Sequence, residues 1–559
     1  MEAAREPQPG TSDTGDPGRE DGGRGGAMVV AVRAVSGVTL VSRLGGLARD
    51  VLVSRLFGDT ALGSAFAAGF AIPNLFRRLF GEGALSAAFI PEYTDSGRAG
   101  RDESDRLASL TVWTLGVGTG LLTAVAEVAL LLLAWLLPPD EARLTSIRLI
   151  MVMLPFMPFI CVTAILGGML QVHGRFAAAA SGPLVLNGFI IAVGLWHVVR
   201  GERGSEGVAY ALGLATTLSG LTQAAAFAWL LRRKVSWRSD WGAIRPRARR
   251  MWTRLVPVLI GLGALQINTL MDQVIAMWPI WFGPTILGVA YPLDERSNIL
   301  IAAAQRLYQF PLGVFGIAVA TAVFPMLARD AGDTDRFGST LRRGVRLSFF
   351  IGFPAGAGLM LVGHDLVATL FSSGPGAGGE AREAGTGFSA SGVGRTAAVV
   401  MGFAPAIWAY SVNHVLARAF YARGDTRTPM RVSLAMVALN LVLNITLIWP
   451  LREAGLAWST SLCAMIQCAI LAVMCRRRLG TEPLDAASWP GLLKTVGGTA
   501  VMAAAVWTLL QLMPEARTWA DQALRVAIGT GVGIAAFTAW SAAMRSHEFR
   551  WLIGRRTDA

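Results

Sequence analysis

Six arginines lie inside segments otherwise dominated by Leu, Val, Ala, Phe and Gly: Arg43, Arg49, Arg55, Arg77, Arg78 and Arg306. An arginine near the middle of a bilayer costs at least ~2.5 kcal/mol on insertion scales, so such side chains normally face a protein interior or a water-filled cavity. The planar guanidinium stays charged and binds phosphate oxygens through paired hydrogen bonds. The arginines therefore predict a cavity for an anionic, phosphate-bearing cargo.

The alternative for each arginine is an ordinary structural role, in which the side chain extends from a helix end to water or pairs inside the protein. We favour this alternative for Arg55 and Arg78. Four others recur near Gly or Pro, where helices can break, and we favour the cavity for them: Arg43, Arg49, Arg77 and Arg306. The predicted breaks are Gly45–Gly46 and Pro73–Asn74, whose freed backbone groups would line the cavity.

A second group of polar side chains falls in later apolar segments: Asp272, Asn440, Asn444 and Thr460. Asn440 and Asn444 are four residues apart and so share one helix face. With a backbone carbonyl near Leu456, this group would form a cage of oxygen atoms suited to a hard cation such as Na⁺. The alternative is that these side chains hydrogen-bond neighbouring helices together, and both interpretations stay open.

The remaining polar residues predict no enzyme chemistry. Glu127 is a lone acid in an apolar segment, where a protonated buried carboxyl and a proton relay are both open interpretations. The four cysteines lack metal-ligand spacing, and the five histidines are scattered without a visible nucleophile or second ligand. Neither a P-loop nor a catalytic constellation is recognisable, so we expect a secondary transporter without its own ATPase.

Composition places these residues in a membrane protein. Of 559 residues, 53% are hydrophobic and only 16% are charged, whereas soluble proteins are usually about one-quarter charged. A spanning helix needs ~20 mostly apolar residues. This criterion predicts an all-α polytopic protein with about fourteen transmembrane helices: 29–57, 61–90, 108–137, 146–171, 181–199, 207–231, 254–281, 297–327, 344–371, 395–421, 430–449, 455–475, 490–512 and 522–543.

The net charge of +13 is carried mostly by alternate loops. Four segments are densely basic: 232–250, 329–343, 475–480 and 545–556. By the positive-inside rule they predict a multi-pass membrane protein with both termini and the long basic loops in the cytoplasm. We interpret the clusters as topology signals that also attract anionic lipid, and we expect no nucleic-acid partner.

Two equal halves are predicted, because six spans precede the 232–250 loop and six more lie between it and the basic segment 475–480. ALSAAFIP (84–91) and AVATAVFP (318–325) close the second span of each half. A parallel repeat of this kind places the binding site between the halves. The predicted division is a disordered cytoplasmic tail at 1–28, an N-lobe at 29–232, a basic cytoplasmic loop at 233–250, a C-lobe at 251–477, a terminal helix pair at 488–545 and a cytoplasmic tail at 546–559.

Several motifs in one order resemble a known family. SRLGGLARDVLVSRLFG (42–58) and AFAAGFAIPNLFRRLFGEGALSAAFIPEY (65–93) are followed by QRLYQFPLGVFGIAVATAVFPMLAR (305–329), FYARGDTRTP (420–429) and PLREAGLAWSTSL (450–462). Together they resemble the signature of the MurJ/MviN family, lipid II flippases of the multidrug/oligosaccharidyl-lipid/polysaccharide exporter superfamily. The resemblance extends over residues 29–545.

The resemblance implies two six-helix lobes and a terminal pair that forms a groove for the lipid tail. It implies export of undecaprenyl-pyrophosphate-linked disaccharide-pentapeptide, lipid II, to the outer face of the bacterial cytoplasmic (inner) membrane by alternating access. Lipid II and membrane lipids are then the expected partners, with cell-wall synthases as further ones. By motif, the substrate-binding arginines are Arg43, Arg49, Arg77 and Arg306. The gate or portal residues are Ser42, Gly45, Gly46, Asp50, Pro73, Asn74 and Glu82. The resemblance also implies a sodium site, Na⁺ being the coupling ion, at Asp272, Asn440, Asn444, Leu456 and Thr460.

The sequence departs from the family pattern at three polar positions. Ser64 stands where Asp is frequent, and Gln305 and Gln309 stand where the family often has Asp and Glu. Fewer acids leave the predicted cavity more positive, which suits an anionic cargo.

Other functions remain as alternatives. An exporter of another lipid-linked saccharide or of a drug has the same architecture, although a drug exporter is expected to show acids in its first lobe. A membrane scaffold bound to cell-wall synthases would not need the cavity arginines. A membrane glycosyltransferase or phosphatase would need an acidic or histidine-based cluster, which the sequence does not show.

Overall fold

The computed structural model describes residues 17–79, 85–372 and 387–553, which are almost entirely helical. A two-stranded antiparallel hairpin, β1 (Thr285–Ile286) and β2 (Val289–Ala290), lies between two of the helices. The α-helices in these ranges are α1 (Pro17–Phe57), α2 (Ala61–Leu79), α3 (Leu85–Ala99), α4 (Arg101–Leu136), α5 (Glu141–Met153), α6 (Phe156–Val172), α7 (Phe176–Ala180), α8 (Gly182–Val199), α9 (Glu206–Leu231), α10 (Arg245–Trp281), α11 (Ser297–Pro311), α12 (Ile317–Arg329), α13 (Thr334–Phe371), α14 (Ala390–Phe403), α15 (Ala406–Ala422), α16 (Arg427–Leu451), α17 (Glu453–Met474), α18 (Trp489–Leu512), α19 (Trp519–Ala543) and α20 (His547–Leu552).

Eleven helical stretches in the described ranges are long and apolar enough to cross a membrane. This confirms the prediction of an all-α, multi-pass membrane protein. The predicted spans 29–57 and 254–281 fall on α1 and α10, and the described parts of 61–90 fall on α2 and α3; these three are not among the eleven. The count of fourteen stays a prediction.

The predicted helix breaks at Gly45–Gly46 and Pro73–Asn74 were wrong, because α1 and α2 continue through both. A proline inside a helix removes one hydrogen bond and often bends the helix without ending it. The chain is interrupted elsewhere, at Leu154–Pro155 between α5 and α6 and at Ala404–Pro405 between α14 and α15. A π-helical turn, Leu312–Gly316, also separates α11 from α12.

Buried side chains gather in several hydrophobic clusters. One joins residues between Val53 and Met251, and two others join residues between Ala276 and Cys475. Helices α18 and α19 pack together and against α13, where Met502 and Val506 meet Val362. Helices α2 and α3 contact α10, and α1 and α2 contact α11. This meeting line between early and late helices is where the arginines of the first two spans lie. The boundaries of the lobes and tails stay predictions.

Candidate functional site

A cavity of about 680 Å³ opens between the early helices and α11. Its walls carry five arginines and a single carboxylate among the described residues: Arg43, Arg49, Arg77, Arg78, Arg306 and Asp50. Asn74, Asn187 and Gln309 add uncharged polar groups. Four of these arginines are the predicted cavity residues, so the structure brings that set together. The strong excess of positive charge favours an anion.

Asp50 joins two of the arginines across the cavity. Its Oδ1 accepts hydrogen bonds from Arg49 Nε at 3.0 Å and Nη2 at 2.7 Å. Its Oδ2 lies 2.8 Å from Arg306 Nε. Arg49 and Asp50 belong to α1 and Arg306 to α11, so one carboxylate ties the two helices together. The guanidinium of Arg49 is buried, whereas that of Arg306 is partly exposed to the cavity.

Asn187 on α8 is a site residue that the sequence analysis missed. Its Oδ1 accepts a hydrogen bond from Arg49 Nη1 at 3.0 Å, and its Nδ2 donates to the Ser42 carbonyl at 3.0 Å. A Cβ atom on Gly45 would lie 3.4 Å from the same Nδ2, which is an ordinary van der Waals contact. The signal was present in the sequence, since Asn187 is an amide within the apolar run GPLVLNGFII.

Arg43 and Arg77 line the same cavity in different ways. Arg77 Nε donates to Asn74 Oδ1 at 2.7 Å, one turn earlier on α2. Arg43 is exposed, and a Cβ atom on Gly313 would lie 2.0 Å from its Nη1. Gly313 lies in the π-helical turn after α11, so this turn leaves room for an arginine from α1.

The two arginines for which we favoured a structural role behave differently. Arg55 is not among the residues that line the cavity, and it donates to the carbonyls of Leu370 at 3.0 Å and Thr369 at 2.8 Å. These carbonyls end α13, where a cation is favourable. Arg78 lines the cavity, contrary to our preference for it. Glu82, predicted to belong to the portal, lies outside the described residues.

A set of hydrogen bonds joins the turn after α1 and the start of α2 to later parts of the chain, and we call it the seal. Asp59 accepts hydrogen bonds from Ser389 N at 2.8 Å and Ser389 Oγ at 2.6 Å. The Ser64 carbonyl accepts from Asn298 Nδ2 at 2.8 Å, and Ser64 Oγ accepts from Ile299 N at 3.2 Å. Ser64, one of the departures from the family pattern, thus joins α2 to α11 without a charge.

The basic segment 232–250 is held against α3 and α4. Arg238 Nη2 lies 2.9 Å from Asp102 Oδ1, and Arg247 binds Glu103 and Glu92, the latter at 2.9 Å. Hydrogen bonds to Glu103 and Glu92 raise the pKa of the Arg247 guanidinium above its ordinary value. These pairs tie the beginning of α10 to earlier helices and neutralise part of the segment's charge.

The predicted cation residues also lie together, where α10, α16 and α17 meet. Asn444 Nδ2 donates to Asp272 Oδ1 at 2.5 Å and to Asn440 Oδ1 at 3.1 Å. Thr460 Oγ1 donates to the Leu456 carbonyl at 2.9 Å. Ser459, which the sequence analysis missed, hydrogen-bonds both Asn444 and the Leu456 carbonyl. One carboxylate, two amide oxygens, two hydroxyls and a carbonyl are donors that fit Na⁺. No trio of His, Cys, Asp or Glu lies together in the described ranges.

The fold and the arginine-lined cavity together define a multi-pass membrane transporter. A solved structure described as lipid II flippase MurJ in an inward closed conformation matches with a TM-score of 0.73 at 19% identity. That match covers 93% of this chain and 99% of the other. An inward-facing multidrug resistance MATE family transporter of the MOP superfamily matches with a TM-score of 0.61 at 15% identity. It covers 80% of this chain and 98% of the other. Both likenesses concern the fold.

The chain belongs to the MurJ family, whose model, lipid II flippase MurJ, matches residues 53–524. A probable lipid II flippase MurJ of Rhizobium tropici is 30% identical over 81% of this chain and 81% of its own. The counterpart of Vibrio cholerae is 29% identical over 78% and 81%, respectively. The family resemblance drawn from the motifs is thereby confirmed.

Proposed function

We propose that this protein moves lipid II, the undecaprenyl-pyrophosphate-linked peptidoglycan precursor, from the inner to the outer leaflet of the bacterial cytoplasmic membrane. The observation that carries the proposal is the cavity with five arginines around one carboxylate. The family and the relatives' names support the same cargo. The chain is accordingly a transporter and not an enzyme.

The cargo's pyrophosphate binds between Arg49 and Arg306, in place of the Asp50 carboxylate. Phosphate oxygens accept the same guanidinium hydrogen bonds as a carboxylate and carry more charge. Arg43, Arg77 and Arg78 stabilise the remaining charge from the cavity walls. The displaced Asp50 then no longer ties α1 to α11, so binding of cargo loosens a contact between early and late helices.

We assign the two ends of the cavity to opposite sides of the membrane, as alternating access requires. The basic segments place both termini in the cytoplasm by the positive-inside rule, so α1 runs outward and the seal at Asp59 and Ser64 faces the outer leaflet. The Thr39 end of the cavity then faces the cytoplasm, where lipid II is made. Breaking the seal and closing the Thr39 end presents the cargo to the outer side.

The energy comes from the membrane potential, a sodium gradient, or both. Export of negative charge is favoured by an inward-negative potential, at ~2.3 kcal/mol per charge per 100 mV. The oxygen-rich group at Asp272, Asn440, Asn444, Leu456 and Thr460 would hold Na⁺. There the ion would neutralise the Asp272 carboxylate and stabilise the packing of α10 against α16 and α17.

The membrane location and the exported product indicate two further kinds of binding partner. Anionic lipids are attracted to the basic cytoplasmic segments, and cell-wall synthases use the exported precursor at the outer face. Export of a cationic drug is not favoured, because the cavity is strongly positive.

Genetic rescue tests the proposed function. A bacterial host depleted of its own lipid II flippase should grow when it expresses this chain. It should not grow with Arg43→Ala or Arg306→Ala at equal membrane abundance, because each removes a cavity cation. Arg427→Ala, which changes an exposed arginine outside the cavity, is the matched control and should support growth. Failure of the unchanged chain at good membrane levels would contradict lipid II as the cargo.

A further inference from the structure

A smaller cavity of about 120 Å³ adjoins the arginine cavity. Arg49, Asp50 and Arg306 line both, so a group inside the smaller one lies beside the place where the pyrophosphate would bind. The rest of its polar wall is uncharged apart from Arg78. We call this space the amide pocket, and its uncharged polar side chains beyond α2 are Gln266, Thr269, Gln273, Gln305 and Gln309.

One amide of the pocket wall has an acceptor without a hydrogen-bond partner among the described residues. Gln266 lines the pocket, and its Oε1 atom is buried and makes no hydrogen bond there. The neighbouring Gln273 is already engaged, since its Nε2 donates to Asn298 Oδ1 at 2.7 Å. A buried acceptor without a donor is unfavourable. Because this oxygen has almost no accessible surface, the Gln266 amide must turn toward the pocket to accept a hydrogen bond from a bound group.

The chemistry of the wall limits what that group can be. Amides and a hydroxyl both donate and accept, which matches hydroxyl and N-acyl groups rather than ions. Gln305 and Gln309 carry no charge, so this part of the pocket wall is neutral. The positive charge is confined to the side shared with the arginine cavity.

We propose that the amide pocket binds the sugar attached to the cargo's pyrophosphate, through hydrogen bonds from its hydroxyl or N-acyl groups to Gln266. This inference rests on the proposed function, because it assumes a lipid pyrophosphate between Arg49 and Arg306. The pocket then makes binding selective for the saccharide, while the arginines bind the phosphates regardless of which sugar is attached.

Binding of two lipids to the purified full chain tests the inference. One probe is undecaprenyl pyrophosphate, and the other is the same lipid with its saccharide attached. Gln266→Leu should weaken binding of the saccharide-bearing lipid about fivefold, the effect of one lost hydrogen bond, and leave the sugarless lipid unchanged. Gln305→Leu should also weaken binding of the saccharide-bearing lipid and leave binding of the sugarless lipid unchanged. Gln511→Leu, an exposed glutamine on α18, is the control and should change neither.

The other outcomes separate the two proposals. If Gln266→Leu and Gln305→Leu bind both lipids as the unchanged chain does, the pocket holds only water and the inference is overturned. Equal weakening of both lipids, with an unchanged melting temperature, also overturns it, because the effect then lies at the arginines. If the unchanged chain binds neither lipid better than uncharged undecaprenol, the proposed function itself fails.

Discussion

Asp50 sets the balance of charge in the cavity. Its two carboxylate oxygens are shared between Arg49 on α1 and Arg306 on α11, so it acts as an internal anion at the place we assign to the pyrophosphate. A carboxylate that competes with the cargo keeps binding reversible. It also stops two cations from facing each other unpaired when the cavity holds no cargo.

Replacing this carboxylate should strengthen cargo binding. We expect Asp50→Asn to bind undecaprenyl pyrophosphate about fivefold more tightly, since the loss of one competing, partly exposed ion pair is worth ~1 kcal/mol. Equilibrium binding to the purified protein measures this. Asp140→Asn is the control, because Asn caps α5 as well as Asp does. Weaker binding by Asp50→Asn would show that the carboxylate helps to hold the cargo.

Some site residues could be predicted from the sequence and others could not. Arginines in apolar segments are conspicuous because they are costly in lipid, so the predicted cavity set includes Arg43, Arg49, Arg77 and Arg306. Asn187 gives a weaker signal, since an uncharged amide in an apolar run costs less than a charge, and Gly313 gives none; the roles of both depend on helices distant in sequence. Arg78 has the same chemistry as Arg77, and only the rotation of α2 places it at the cavity.

Among the elements, the apolar runs located the helices well, because a spanning helix must satisfy its own backbone. Their interruptions were predicted less well. Helix α1 continues through Gly45–Gly46 and α2 through Pro73, whereas the irregular turn at Leu312–Gly316 follows Pro311. Glycine and proline permit a break, and tertiary contacts decide whether it occurs.

The meeting of α10, α16 and α17 yields a prediction about sodium. If Asp272 and its neighbours hold Na⁺, replacing choline chloride by sodium chloride should raise the melting temperature of the purified protein, because an ion that binds only the folded state stabilises it. Asp272→Asn and Thr460→Val should lose this rise. Asp140→Asn should keep it. An equal rise in melting temperature in the unchanged protein and all three variants would show that these polar residues only hold the helices together.

At the scale of the whole molecule, a positive cavity is accompanied by two separate groups of contacts between early and later parts of the chain. Asp59, Ser64 and Arg55 contact later parts of the chain, and Arg247 ties the beginning of α10 to α3 and α4. The charge of the loops predicted the membrane topology. It could not predict that two arginines of the segment 232–250, Arg238 and Arg247, pair with Asp102, Glu92 and Glu103, because those pairs depend on the folded position of the segment.

The most direct measurement is transport of lipid II in proteoliposomes that contain the purified chain. The account predicts flipping by the unchanged protein and at least tenfold slower flipping by Arg306→Ala. It also predicts that a disulfide across the seal, in a Ser64→Cys/Asn298→Cys variant lacking the four native cysteines, stops transport until a reductant is added. A Val152→Cys/Thr217→Cys pair, which joins α5 to α9, should leave transport intact. Flipping by Arg306→Ala at the unchanged rate, or through the cross-linked seal, would contradict an arginine cavity with alternating access.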